Sequence, residues 1–271
     1  MRTLISAVML AGTLMSAAQA ENSATEAALT PLAETFARGF YARDPEMVLS
    51  VVHPELSKIG VWQNYRGSGV DITEELPPGT LQVLGRIYNA DGRLSVETST
   101  VGVDFFDSDA NVGVFQLTAD RDWYDFFLGT RINGEWVLVN CAYGGFHLID
   151  NPEREADMAA VSSVVAEYAA AWDTADYERL QATIYPNADR RHVVRGEGRE
   201  FLQHETLETI QQDIMSSQAA GLSSQVTVFE ANRQTAAARI DAADRTEWVL
   251  LQRLNGDWKI VNMFWEASVA G

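Results

Sequence analysis

Cysteine is nearly absent. Cys141 is the single one in 271 residues, so the chain forms no internal disulfide and its stability has to come from buried cores. A predicted strand places Cys141 in an apolar run with no histidine nearby in sequence, which reads as a small core residue rather than a nucleophile. Histidine is scarce too: there are four, no two at metal-ligand spacing, so no metal is expected. Positive charge is short, with 20 Lys and Arg against 38 Asp and Glu and a net charge of −18. That balance excludes nucleic acid, which rewards basic clusters, and docking on anionic lipid. Gly67-Ser68-Gly69 lacks the strand-to-helix setting of a phosphate loop or nucleophile elbow and reads as a turn. No cofactor is expected.

Long apolar runs are confined to the start. Arg2, the apolar stretch Leu4 to Leu14 and Ala18-Gln19-Ala20 have the order of a cleaved signal peptide. The run is too short for a membrane span, which takes about 20 residues. The sequence therefore predicts a leader over 1–20 and a mature, periplasmic or secreted chain without membrane insertion. Removing Arg2 takes the net charge from −18 to −19, an acidity that keeps an exported protein soluble.

What the chain does have is a repeat. Arg131-Ile132-Asn133-Gly134-Glu135-Trp136-Val137-Leu138-Val139-Asn140 returns, 122 positions later, as Arg253-Leu254-Asn255-Gly256-Asp257-Trp258-Lys259-Ile260-Val261-Asn262. Each copy puts Asn-Gly between alternating apolar runs, the strongest short-range signal for a two-residue hairpin. The spacing is too long for a solenoid unit and implies two tandem domains, 21–150 and 151–271, joined by a short linker over Gly144 to Asn151.

Each half reads as a helix, a short helix, a polar stretch and antiparallel strands. Leu29, Leu32, Phe36 and Phe40 form the first helical stripe, and Met158, Val161, Val165, Tyr168 and Trp172 its counterpart. Asp44-Pro45-Glu46 and Asp176 cap the short helices. The first should carry Met47, Val48, Val51 and Val52 and stop at His53-Pro54; the second should stop at Tyr185-Pro186. Lys58 to Arg66 reads as a short strand and turn, Asp71 to Gly79 as an irregular acidic loop, and Thr80 to Tyr88 and Thr206 to Ser216 as further helices. Strands are predicted near 94–106, 112–118, 123–131 and 135–143, then near 226–229, 235–240, 245–253 and 257–266.

Phe40 to Pro54 followed by Asp125 to Asn140, and Trp172 to Pro186 followed by Glu247 to Asn262, resemble the nuclear transport factor 2-like superfamily, in its "putative lumazine-binding" or polyketide-cyclase-like branch. The resemblance covers nearly all of the chain after the leader. It implies an α+β fold in two tandem cone-shaped barrels, each a curved antiparallel sheet wrapped around about three helices and leaving a pocket at one end. Relatives include ketosteroid isomerase, scytalone dehydratase, polyketide cyclases and carrier-type proteins, so the fold alone does not fix a function.

Catalytic candidates are carboxylates among aromatic rings. Asp125 lies between Trp123, Tyr124, Phe126 and Phe127, and Glu247 stands at the equivalent place beside Trp248. Burial there would raise a carboxyl pKa, the usual route to a general acid or base; a solvent- or interface-facing strand residue is the plainer reading. By alternation Asp125 shares a face with Trp123 and Phe127. His53 could shuttle protons, although its counterpart is Tyr185 and a helix-end histidine more often bonds the last carbonyls. His192 and His204 read as surface or cap residues.

Ligand-binding candidates are Trp62, Tyr65, Trp123, Tyr143, Trp248 and Trp265, whose rings suit a flat or apolar molecule. Alternation puts Trp136, Leu138, Asn140 and Ala142 on one face and Trp258, Ile260, Asn262 and Phe264 on its equivalent. Asn140 and Asn262 on these apolar faces either hydrogen-bond structurally or line a wet cavity. Three functions stay open: an exported protein holding a small apolar or aromatic molecule, a cofactor-independent isomerase, dehydratase or cyclase, and an interaction module. In the last, sheet faces pair within the chain as a pseudo-dimer or between chains as a homo-oligomer. The halves differ at His53/Tyr185, Tyr124/Thr246 and Trp123/Arg245, so at most one should retain a given activity.

Overall fold

The computed structural model describes residues 3–119, 123–144, 151–196, 198–216 and 223–268, with side chains from residue 19 onward. Most of the expected linker and the Asp120-Arg121-Asp122 connection lie outside the described residues. The chain holds two six-stranded sheets, one in each half, with helices against one face of each.

In the first half a long helix, α1 (Thr3–Ala42), precedes α2 (Pro45–Leu49). Leu29, Ala33, Phe36, Ala37 and Phe40 of α1 are buried at helical spacing and pack on the sheet. The expected cap is present: the Asp44 carboxylate accepts the backbone N–H groups of Glu46 and Met47 at 3.0 Å each. The helix ends at Leu49, so Val51 and Val52 fall outside it. Strand β1 (Val52–Trp62) starts at once and runs through His53-Pro54, because a residue before proline favours extended backbone. β2 (Ile72–Glu75) then pairs antiparallel with β1 where a loop was expected. Helix α3 (Pro78–Ile87) leads to β3 (Val101–Ser108), β4 (Val112–Ala119), β5 (Trp123–Ile132) and β6 (Glu135–Tyr143).

The second half repeats this with α4 (Arg154–Thr174), α5 (Tyr177–Thr183), β7 (Ile184–Gly196), β8 (Arg199–Glu205), α6 (Leu207–Ser216), β9 (Gln225–Asn232), β10 (Thr235–Asp241), β11 (Arg245–Leu254) and β12 (Asp257–Ala267). Strand orders are β2-β1-β6-β5-β4-β3 and β8-β7-β12-β11-β10-β9. The sheets are mixed rather than wholly antiparallel. β1 lies parallel to β6, and β7 to β12, since a strand that follows the two helices re-enters beside the last strand instead of pairing with a sequence neighbour.

Both Asn-Gly turns form as read, with Asn133 at φ 52°, Gly134 at 85°, Asn255 at 51° and Gly256 at 89°. Alternation along β6 and β12 does not hold throughout. β-Bulges fall between Leu138 and Asn140 and between Ile260 and Asn262. A bulge adds one residue and turns those beyond it to the other face. Leu138 and Ile260 consequently point into their own domain cores, while Ala142 and Phe264 join an apolar layer shared by the two sheets, with Val114, Phe126, Ala237 and Leu250.

The hairpin turns also reach across. Asn133 donates its backbone N–H to the Glu200 carboxylate at 2.5 Å and its side-chain amide to the Glu200 carbonyl at 2.9 Å. Asn255 donates its backbone N–H to the Asp71 carboxylate at 2.6 Å, and its side-chain oxygen accepts the Asp71 N–H at 3.0 Å. Each copy's turn is thus held by the edge region of the other.

Candidate functional site

The first domain contains a cavity of ≈ 300 Å³ between α1, α3 and the concave face of the sheet. α1 supplies Phe36 and Phe40, one turn apart on its buried stripe, and α3 supplies Leu81 and Leu84. Strand β5 brings Trp123 and Asp125 at alternate positions, β6 brings Tyr143 opposite Asp125, and β1 and β2 bring Lys58, Trp62 and Glu74. The wall is largely hydrocarbon and aromatic ring, with a few polar groups at defined points, the usual make-up of a small-molecule site.

Lys58 and Asp125 are the deepest of these groups. Both are buried, and the ammonium donates to the Asp125 carboxylate and, at 3.2 Å, to the Cys141 sulfur. The Lys58 nitrogen also stands 4.7 Å from the Tyr143 ring centroid and 5.5 Å from that of Phe127. Burial pushes the Asp125 carboxyl above its ordinary value against the opposing pull of Lys58. For Lys58 burial works downward, but the attraction of Asp125 and Cys141 outweighs it and holds the ammonium up. Cys141 is buried and free, and desolvation pushes its thiol well above the usual range.

Nearer the entrance, the Glu74 carboxylate accepts the Trp62 indole N–H at 2.7 Å and the Tyr143 hydroxyl at 2.6 Å. Trp62 is 40% exposed and forms the rim. The Tyr143 ring lies flat on β1 where Gly60 leaves room, since a Cβ there would come within 2.2 Å of the ring. Desolvation and the neighbouring Glu74 both raise the Tyr143 hydroxyl, which stays protonated and donating.

In the second domain the side chains at the corresponding positions pair with one another. The first copy's Phe36, Phe40, Lys58, Trp123, Asp125 and Tyr143 match Tyr168, Trp172, Arg190, Arg245, Glu247 and Trp265. The offset is 132 before the length difference between the halves and 122 after it. Arg190 is buried and donates to Glu247 at 2.8 Å and to Glu205. Its guanidinium stands 4.9 Å from the Trp172 ring and 5.1 Å from the Trp265 ring. Tyr168 donates its hydroxyl to Glu247 at 2.9 Å, Arg245 stacks 4.7 Å from Trp172, and Trp265 donates its N–H to Glu205 at 2.8 Å. Burial works to raise the Glu205 carboxyl, but the contacts from His192, Arg190 and Trp265 prevail and lower it to about 2.

Several expected site residues lie elsewhere. Tyr65 sits in a short turn under Arg66, at 5.0 Å, away from the cavity wall. Trp248 belongs to the layer between the sheets and donates its indole N–H to Asp107 at 2.7 Å. Asn140 donates to the Asn262 carbonyl oxygen at 2.9 Å, and Asn262 donates to the Cys141 carbonyl at 3.2 Å; the bulges turn both towards the opposite domain rather than into a pocket. His53 stands in β1, not at a helix end, and its Nδ1 accepts the Glu55 N–H at 3.2 Å. Burial lowers its pKa. Asp125, Trp62, Trp123 and Tyr143 do meet in one cavity, and Trp265 occupies the matching place in the second domain. His204 is exposed, as expected, and lies in β8 with its ring nitrogens 3.2 Å from Asp189 and 3.3 Å from Glu55.

Sequence reasoning passed over Lys58 and Glu74. A signal for Lys58 existed: the chain has two lysines, and this one stands in an alternating strand at the position where the second copy has Arg190. Glu74 carried none, being one of several acids in a short polar stretch.

The architecture is two tandem α+β domains, each a six-stranded sheet with helices against one face. Residues 156–266 match a family model described as "putative lumazine-binding". Among solved structures, a nuclear transport factor 2-like protein of unknown function from Shewanella baltica is 16% identical with a TM-score of 0.37, covering 43% of this chain and 97% of its own. One from Methylobacillus flagellatus is 17% identical with a TM-score of 0.38, covering 45% and 98%. A ketosteroid isomerase-like protein from Erwinia carotovora atroseptica is 14% identical with a TM-score of 0.34, covering 44% and 99%. No curated protein matches the chain in sequence. Among the described residues no helix is long and apolar enough to cross a membrane, and no cluster of His, Cys, Asp and Glu could hold a metal ion.

Proposed function

We propose that this is an exported small-molecule-binding protein in which the first domain holds an apolar or aromatic ligand. The second domain serves as its fixed partner in an intramolecular pseudo-dimer. The observation that carries the reading is the ≈ 300 Å³ cavity walled by Phe36, Phe40, Trp123 and Tyr143, set against a second domain whose matching residues pair with one another. Export follows from the leader-like first 20 residues and implies a periplasmic or secreted site of action. Native mass spectrometry of protein purified from its own periplasm tests both points. A retained small molecule and a chain beginning near Glu21 support the proposal; repeated recovery of bare protein, or of chains that keep Met1, counts against it.

A second reading, proton-transfer catalysis without a cofactor, draws on Asp125, whose carboxyl stands in the cavity wall with its pKa raised by burial. Lys58 weighs against it, because a carboxylate already bound to an ammonium is a poor base. Asp125→Asn with unchanged turnover of an identified substrate would remove that residue from catalysis.

A further inference from the structure

We infer that the ligand of the first-domain cavity is an organic cation, an aromatic or apolar amine whose ammonium is matched by Glu74. The inference rests on the reading of that cavity as a ligand site and adds the charge its occupant must carry.

The chain's second copy shows how these positions complement one another. There two cations, Arg190 and Arg245, meet two carboxylates, Glu247 and Glu205. The Arg190 guanidinium stands between the rings of Trp172 and Trp265. In the first copy the same rings are Phe40 and Tyr143, and both line the cavity. Arg245 is replaced by Trp123, and Arg190 by the shorter Lys58, whose ammonium is drawn down to Asp125 and Cys141. One cation therefore faces two carboxylates, Asp125 and Glu74. Among the described residues Glu74 has no ion pair; its hydrogen-bond donors are the neutral Trp62 indole and Tyr143 hydroxyl.

By register Glu74 stands where the second copy has Gln203, and Glu205 where the first has Leu76, so the cavity holds two carboxylates to one ammonium, with ring faces at hand. A cation over an aromatic face, and a charged hydrogen bond to a partly desolvated carboxylate, are each favourable. A carboxylate ligand would meet Glu74 unmatched, and Lys58, already bound to Asp125, offers little to offset it. The chain's net charge of −18 adds long-range attraction for a cation.

Three naphthalene probes of similar size test this at pH 7 by tryptophan fluorescence titration: naphthylmethylamine, naphthylmethanol and naphthoate. The amine should bind at least about tenfold tighter than the alcohol, the scale of a desolvated cation–π contact joined to a charged hydrogen bond, and naphthoate weakest. Glu74→Gln keeps an acceptor for Trp62 and Tyr143, so it should remove most of the amine's advantage over the alcohol. Equal affinities for amine and alcohol, or tightest binding of naphthoate, overturn the cation assignment while leaving the cavity a ligand site. Binding of none of the three overturns both.

Discussion

Asn140 and Asn262, equivalent residues 122 positions apart, meet each other in the buried layer between the sheets, the first donating to the second at 2.9 Å. The pairing is one-sided. Asn262 also donates to the Cys141 carbonyl at 3.2 Å, whereas the side-chain oxygen of Asn140 has no partner. Replacing Asn262 by leucine strands the Asn140 amide and removes the bond to the Cys141 carbonyl; replacing Asn140 strands one oxygen. Each buried group left unsatisfied costs about 1–3 kcal/mol. Urea denaturation should rank Asn262→Leu as the more destabilising, with the double variant less costly than the sum of the two.

The Lys58–Asp125 pair should behave as a unit. Lys58→Met or Asp125→Leu alone leaves a buried charge without its partner and should cost about 3–5 kcal/mol, while the double substitution should come close to the parent. A double-mutant cycle in urea reads this directly, and additive single effects would contradict the pairing.

Acid stability should depend on Glu205. Its folded pKa of about 2 lies below the ordinary 4.5, so its contribution is present above pH 4.5 and is lost as pH falls towards 2. Asp125 runs the other way: its carboxyl is raised, so the stability it contributes is present below its ordinary value and lost as pH rises through the folded one. Glu205→Gln should flatten the stability profile between pH 4.5 and 2, and an unaltered slope would show that the contacts from Arg190 and Trp265 do not hold in solution.

Cys141 should resist labelling. It is buried beneath Lys58 with its thiol pushed up by desolvation, and the thiolate is the reactive form. Reaction with an aromatic disulfide reagent at pH 8 should proceed only as fast as the first domain opens and accelerate sharply in urea. Rapid labelling of native protein would contradict that burial.

Much of the fold can be read from the chain because its strongest cues are local. The two Asn-Gly turns, the Asp44 cap and the helical stripe from Leu29 to Phe40 each depend on neighbours a few residues away, and all form as expected. What escapes depends on distant partners. β2 and β8 are short polar edge strands that exist through pairing with β1 and β7, and His53-Pro54 lies in an irregular stretch of β1 between Val52 and Ser57, which pair with β6 more than 80 positions later. The bulges at Val139 and Val261 leave no mark on the alternation they interrupt, which is why Asn140 and Asn262 were expected on the faces of Leu138 and Ile260. In the site, Asp125 was legible from its aromatic neighbours, but Lys58 joins it across 67 positions.

One fold is written twice, with a cavity in the first copy and the matching residues of the second paired with one another. Native mass spectrometry with naphthylmethylamine measures this as stoichiometry, on the parent and on a Leu84→Trp variant that fills the first cavity. One bound molecule per chain, lost in the variant, is the predicted result. Two per chain, or one that persists when Leu84 is tryptophan, would contradict it.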